Sequence, residues 1–542
     1  MNTILKKTKD IIFQRQKDIL SSVIILSTMM IASRFLGLVR NRTFATYFSK
    51  DELDLLLASY RIPDFVFEIL ITGALSSAFI PLFIKYKKSA RELSENVSTI
   101  INVITVLLGA FMIIAFLGAG VIVPIITPGF TPAQNQEVIN ISRIYIASQL
   151  PFFVFGNVLS GIAQAHKIFI LTALAPLVYT LGVILGTIFL SDSLWLYGPA
   201  VGTVIGAFLF FFVQIPVLYK TPFHFKLGSW NPQVIKEFFT LFLPRTFSVL
   251  TSQIEQTIDL SLATLIGSGS VTIVNFAQRL QLFPVAFIGM AFGQASLPYI
   301  SSLYKDRKFS AIRNLFIESL LQILYISIPL AFFCIFARTP LVRIAYGGRK
   351  FDWEATVLTA TTLSYFALSV PFHSMFYFVT RAFYASHDTK TPLYINLFSI
   401  CLNIILSVTF IRVLMLPVWS LGLSFSIAIT CNVIIHLIAF YRKIEGYDVR
   451  KLLLHASKIT LIGFLSSLPA YIILKLLDQL IIDTTRTLNV LMLLGISSFV
   501  MGVSYLFFSW LFKVEEIYIL SRVAVRIRSF GREVSEPVTE SS

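Results

Sequence analysis

Arginines and carboxylates embedded in otherwise apolar stretches are the residues of this chain whose types and spacing allow chemistry. Arg34 and Arg40 flank Gly37 in ASRFLGLVR, Arg61 precedes Pro63, Arg245 follows Pro244, and Arg279 lies within VTIVNFAQRLQLFP. A charge in hydrocarbon costs at least a few kcal/mol unless it faces a polar cavity or a partner. Arginine near a helix end can instead snorkel to the headgroups, and for Arg42 and Arg245 that reading weighs as much as a cavity role. Arg34 and Arg279 lie deeper and are expected to face a cavity. Six helical residues place Arg34 and Arg40 about 120° apart, so they reach one ligand only if Gly37 bends the helix or the cavity is wide. The guanidinium suits phosphate, because its planar fork makes two charge-assisted hydrogen bonds and never deprotonates. The carboxylates are Asp54, Asp64, Glu68, Glu255 and Asp259. Glu255 and Asp259 are four apart, hence on one helix face, where they bind Na⁺, pass a proton, or pair with Arg245 or Arg279.

Enzymatic constellations find little support. There is no HExxH, P-loop, nucleophile elbow or acidic DxD pair, and His166, His373 and His387 are dispersed, with His166 and His387 at loop edges that suit capping. Cys334, Cys401 and Cys431 fall in apolar segments without metal-ligand spacing and read as small buried hydrophobes. The formal charge of +16 sits mostly in loops and tails, which fits anionic lipid headgroups and not nucleic acid.

These residues must be positioned by elements that live in a membrane. Of 542 residues, 56% are hydrophobic and only 13% charged, and the mean hydropathy is +0.80. Apolar runs of about 20 residues recur along the whole length without β-barrel alternation, so the fold class is an all-α polytopic membrane protein. Hydropathy places about fourteen spans, near 20–40, 55–84, 98–125, 140–163, 168–190, 196–219, 237–265, 271–303, 312–336, 355–384, 391–413, 418–441, 453–478 and 488–512. Lys/Arg-rich connections put both termini in the cytoplasm, against which the loop with Arg338, Arg343, Arg349 and Lys350 falls on the outer side. GALSSAFIPLF (73–83) aligns with MAFGQASLPYI (290–300), and AQAHKIFILTALAPL (163–177) with YASHDTKTPLYI (384–395), at nearly one offset. A six-helix unit used twice in parallel explains both. The expected organisation is a basic cytosolic arm (1–19), an N-lobe (20–219), a C-lobe (220–441), two extra spans (442–513) and a cytosolic tail (514–542).

SRFLGLVR (33–40), Asp54 before the second span, the segment Pro63 to Pro81 with GALSSAFIP, TPGF (127–130), SGSVTIVNFAQRLQLFP (268–284), YGGRKFD (346–352) and RAFYASHDTKTP (381–392) with the following Asn403 together resemble the MviN/MurJ family of lipid II flippases, within the multidrug/oligosaccharidyl-lipid/polysaccharide exporter superfamily. The resemblance runs from about residue 27 to 440. It implies a two-lobed flippase with a central cationic cavity that moves undecaprenyl-diphosphate-linked muropeptide from the inner to the outer leaflet of the bacterial cytoplasmic membrane, the extra spans forming a groove for the lipid tail. It implies that Arg34, Arg40 and Arg279 are cavity arginines, that Asp54 is the family's loop aspartate, and that Asp259 and Asn403 contribute to a Na⁺ site found in some members. The chain departs from the family where Phe67 and Glu68 replace an arginine pair, where Pro63-Asp64 replaces a Pro-Asn dipeptide, at Thr72 and Leu282 in place of glutamates, and at Ser407 in place of an ion-site aspartate. Arg61 is the candidate replacement cation.

The expectation is therefore a transporter and not an enzyme, needing no cofactor beyond Na⁺ or H⁺ as coupling ion or the membrane potential alone. Its partners are the lipid-linked muropeptide, membrane lipids and cell-wall synthesis proteins. Two other readings stand beside it: a cation-coupled exporter of another polyprenyl-linked glycan or an amphipathic drug, using Glu255 and Asp259, and a non-transporting cell-wall scaffold, which would keep its function without the cavity arginines.

Overall fold

The computed structural model describes residues 19–71, 78–86, 90–166, 168, 170–221, 223–481, 483–484 and 486–517. Of the sequence expectations, the basic arm up to residue 18, Thr72, residues 73–77 of the first repeat copy and the tail from 518 onward lie outside the described residues. Every regular element among the described residues is helical, the arrangement in which a backbone surrounded by hydrocarbon satisfies its own N–H and C=O groups. Ten of these helices are long and apolar enough to cross a membrane, or eleven if the pair Trp353–Ala367 and Val370–Ala385, bent by 46°, is one span. The other three expected spans fall on the helix Ile19–Tyr47, on the stretch holding helices Lys50–Ser59, Arg61–Glu68 and Ile80–Lys85, and on the helix Pro232–Ile266. These three stretches carry Arg34, Arg40, Asp54, Arg61, Glu255 and Asp259.

The chain divides into two compact units, residues 1–273 with 345–356, and residues 274–344 with 357–542. In the first unit, helices Ile170–Leu194 and Tyr197–Phe212 make the most extensive helix pair. The reason is glycine. A Cβ on Gly186 would stand 2.3 Å from the Gly202 Cα, one on Gly202 2.7 Å from the Gly182 carbonyl oxygen, and one on Gly206 2.5 Å from the Tyr179 carbonyl oxygen. With no hydrophobic drive between helices in lipid, such backbone-to-backbone approach supplies the dispersion contact that holds them. The helix Ile19–Tyr47 packs on Ile170–Leu194, and the helix Ala90–Ile126 packs on both Pro132–Ile144 and Pro232–Ile266.

The second unit is built around aromatic packing. Phe316, Phe378, Phe383 and Phe440 are fully buried and join helices Phe309–Phe336, Val370–Ala385 and Trp419–Lys443, with Phe316 and Phe440 rings 4.5 Å apart. The helix Val449–Leu476 lies against Phe309–Phe336 and against Thr487–Leu511. Where the span bends between residues 367 and 370, the Gln281 side-chain amide donates to Ser369 Oγ at 2.9 Å and meets His373 Nδ1 at 3.1 Å, so polar side chains serve the backbone break. The histidine-bearing motif SHDTKTP is likewise structural at its acid: Asp388 accepts from the Thr391 N–H and hydroxyl and from Lys443 Nζ, at 3.0, 2.9 and 3.0 Å. It thereby caps the helix Lys390–Val408.

Replacing Gly202 by Val forces the two helices of the first unit apart. The expected outcome is a loss of about 2 kcal/mol or more, read as a lower Tm of the purified protein, while Gly120→Val, whose added carbons meet open space, leaves Tm nearly unchanged.

Candidate functional site

The helix Ile19–Tyr47 runs without a break through Gly37, and a Cβ there would meet nothing within 4 Å. Of the two routes by which Arg34 and Arg40 reach one ligand, a bend or a wide cavity, the helix therefore keeps open space beside Gly37 and does not break. Both arginines are half-buried. The Arg40 guanidinium lies 5.8 Å from the centre of the Phe44 ring, a cation–π contact that fixes its stem, and Nε and Nη2 reach Asn41 Oδ1 at 3.4 Å.

Asp54 is buried, at 1% exposure. Its carboxylate accepts from the Gly269 N–H, the Thr272 N–H and the Thr272 hydroxyl, each at 2.7 Å. These N–H groups open the helix Ser270–Val285, whose first turn has no acceptors of its own and carries the positive end of the helix dipole. Asp54 thus acts as a remote N-cap. Around it, the Trp195 indole donates to Glu52 at 2.6 Å, Lys350 approaches the other Glu52 oxygen at 4.0 Å, and Lys50 pairs with Glu354 at 2.9 Å. Gly348 admits the Ala45 carbonyl, 2.4 Å from where a Cβ would stand. The motif YGGRKFD is thereby strapped onto the first unit. Burial works against ionisation of Glu52, but the Ser49 N–H, the Trp195 indole and Lys350 outweigh it and hold the carboxyl below its ordinary range.

Arg61 is 8% exposed, and its guanidinium is turned onto the helix Pro232–Ile266. Nε donates to Thr257 Oγ1 at 2.9 Å, Nη1 to Gln256 Oε1 at 3.1 Å, and Nη2 to the Gln253 carbonyl and Oε1 at 2.6 and 2.7 Å. Glu255 and Asp259, on the same helix, are half-buried. The helix is also held near both ends: Lys85 and Tyr86 meet Glu237 at 2.7 and 2.8 Å near its start, and Gly129 sits against the Thr264 carbonyl near its finish. Arg245 is exposed.

Arg279 and Asn403 belong to the second unit. Arg279 is exposed, its Nε steadied by Asn275 Oδ1 at 2.6 Å, one turn back. Asn403 is buried on the helix Lys390–Val408. Phe67 packs its ring 4.8 Å from Phe153, which in turn contacts Tyr179 and Phe210 at 4.8 Å each, and Ser407 shares a 2.7 Å hydrogen bond with Ser424. Asp64 is exposed, and Glu68 and Leu282 are half-buried. Gln253, Gln256, Thr257, Thr272 and Trp195 went unnoticed in the sequence because single amides, hydroxyls and an indole carry no motif. The one signal for Gln253, Gln256 and Thr257 is that SQIEQT is a polar run inside an expected span.

Removing the Asp54 carboxylate strands two backbone donors, so Asp54→Ala is expected to cost about 1–3 kcal/mol and Asp54→Asn less, measured by thermal unfolding in nanodiscs. Glu52 contributes stability that is present above its ordinary value of 4.5 and lost as pH falls through the lowered folded value. Glu52→Gln is therefore expected to cost below about 1 kcal/mol at pH 7 and to lose less stability than the parent between pH 7 and pH 3 in the same assay.

The chain matches the family profile described as "Lipid II flippase MurJ" over residues 44–486. A probable lipid II flippase MurJ of Rickettsia prowazekii is 28% identical over 392 residues, covering 70% of this chain and 76% of the relative. The lipid II flippase MurJ of Thermosipho africanus is 27% identical over 396 residues, covering 72% and 80%. Among solved structures, lipid II flippase MurJ in an inward closed conformation superimposes with a TM-score of 0.74 at 26% identity, covering 90% of this chain and 98% of that one. An inward-facing multidrug resistance MATE transporter of the MOP superfamily shares the fold, at TM-score 0.67 and 14% identity, covering 78% of this chain and 98% of that one. This all-helical, multi-span membrane protein belongs to the lipid II flippase MurJ family.

Proposed function

We propose that the protein moves lipid II, the undecaprenyl-diphosphate-linked precursor of peptidoglycan, from the inner to the outer leaflet of the bacterial cytoplasmic membrane, with both termini in the cytoplasm. The observation that carries this reading is family membership over 443 residues, from 44 to 486. The chemistry of the arginines supports it. Arg34 and Arg40 stand on an unbroken helix with open space beside Gly37, and Arg279 is exposed, with its Nε bonded to Asn275 of its own helix. Such guanidinium groups can exchange water for the oxygens of a diphosphate in bidentate fashion.

For the hydrocarbon part of the ligand, the second unit has an apolar cavity of about 460 Å³. Leu324, Ile328, Phe332, Phe372, Met375 and Leu453 are among its lining residues, and Thr460 is the polar one. It opens among four helices, one of them Val449–Leu476 of the extra pair, and an isoprenoid chain there loses nothing relative to lipid. Alternating access then needs the two ends of the pathway to open in turn. An anion moving outward past an inside-negative potential gains about 2.3 kcal/mol per charge per 100 mV, enough to bias the cycle without a coupled ion. The Asp54 cap is the natural lock at one end, since breaking it exposes two N–H groups at once.

Arg34→Ala and Arg279→Ala are each expected to fail to restore growth in cells depleted of their own lipid II flippase, while accumulating in the membrane at parental levels. Rescue by both variants would show that these side chains do not carry the diphosphate. Wild-type protein that fails to rescue, yet exports another polyprenyl-linked glycan in liposomes, would move the substrate assignment.

A further inference from the structure

The turn Gln253–Thr257 of the helix Pro232–Ile266 presents four oxygens to the three nitrogens of one guanidinium. The Gln253 carbonyl, the Gln253 and Gln256 side-chain oxygens and the Thr257 hydroxyl lie 2.6, 2.7, 3.1 and 2.9 Å from the nitrogens of Arg61. Four of its five N–H donors are consumed by this one turn, which leaves the side chain little with which to bind a ligand. Neutral carbonyl and hydroxyl oxygens are also the set that hard metal cations select. The charge that Arg61 brings lies in the field of Asp64, Glu68 and Asp259. Among the described residues no three His, Cys, Asp or Glu side chains converge to hold a metal ion.

We propose that Arg61 is a tethered cation: its guanidinium fills an oxygen-lined cation position on this helix and supplies from within the chain the positive charge that a diffusible monovalent cation would otherwise bring beside Asp259. Arg61 is then a positioning residue, acting through the turn it holds and not on the transported lipid. Phe67 fits this arrangement, since the neighbouring turn of the same helix adds no second positive charge and packs among aromatic rings instead. A consequence follows for ion dependence. With the tether in place the protein has no use for Na⁺ at this position, whereas removing the side chain leaves the four oxygens of the turn without their cation.

The inference goes beyond the transport reading and is tested without it, by the Tm of the purified full chain in nanodiscs at equal ionic strength in sodium chloride or choline chloride. The parent is expected to give the same Tm in both. Arg61→Ala is expected to lose roughly 5 °C in choline and to regain at least half of it in sodium. Arg61→Lys, which keeps a cation on a similar stem, is expected to fold with a smaller loss and to ignore sodium. Equal loss of Arg61→Ala in the two salts, a parent Tm that rises with sodium, or a lysine variant as unstable as the alanine one or rescued by sodium overturns the proposal. Where Arg61→Ala does not accumulate, the lysine variant decides alone. A failure of the protein to move lipid II leaves these outcomes unaffected.

Discussion

Hydrocarbon offers no partner to a polar group, and every notable feature of this protein is a way of meeting that constraint. Along most spans it is met by the helix itself and by apolar side chains. In the helices around Arg61 and Asp54 it is met by long-range pairing within one unit: a buried guanidinium onto a neighbouring helix, and a buried carboxylate onto the start of another. Neither helix contains the partner its charged residue needs. Each such pair therefore fixes two segments at once, and fixes them in a medium where an unpaired alternative costs several kcal/mol.

The same constraint sorts the arginines into two kinds. Arg61 spends its donors on the protein, is buried and has the character of a structural ion. Arg40 is half-buried and Arg279 exposed, and each is steadied by an asparagine of its own helix, Asn41 and Asn275. A family that carries a diphosphate needs the second kind. The first kind holds the second span to a neighbouring helix: one to two turns before Phe67 and Glu68, Arg61 spends its charge on the protein itself.

Helix packing shows the complementary solution. Where no polar partner is needed, the glycines of Ile170–Leu194 and Tyr197–Phe212 let two backbones touch, while the second unit uses interlocking phenylalanines around Phe316. The first makes a rigid pair with nothing to rearrange. Elsewhere in the second unit, Phe332, Phe372 and Met375 help line a cavity of about 460 Å³, and the unbranched methionine lets such a lining adapt to a chain of lipid.

By itself the sequence determined that this is an all-helical membrane protein, because composition and run length leave no other solvent for the chain, and it determined the family, because SRFLGLVR, YGGRKFD and RAFYASHDTKTP are strings of specific residues. It also singled out Arg34, Arg40, Asp54, Arg61, Asp259 and Arg279, since a charge in an apolar run is visible one residue at a time. What each charge does was decided by tertiary structure. Asp54 and Arg61 look alike in sequence, as isolated charges at the edge of one span, yet one caps a helix that starts more than two hundred residues later and the other grips a turn beginning at Gln253. Their partners are backbone N–H groups, a carbonyl, amides and a hydroxyl, which every stretch of chain possesses. Only folding chooses among them, because the choice depends on which helix end or turn is brought within 3 Å.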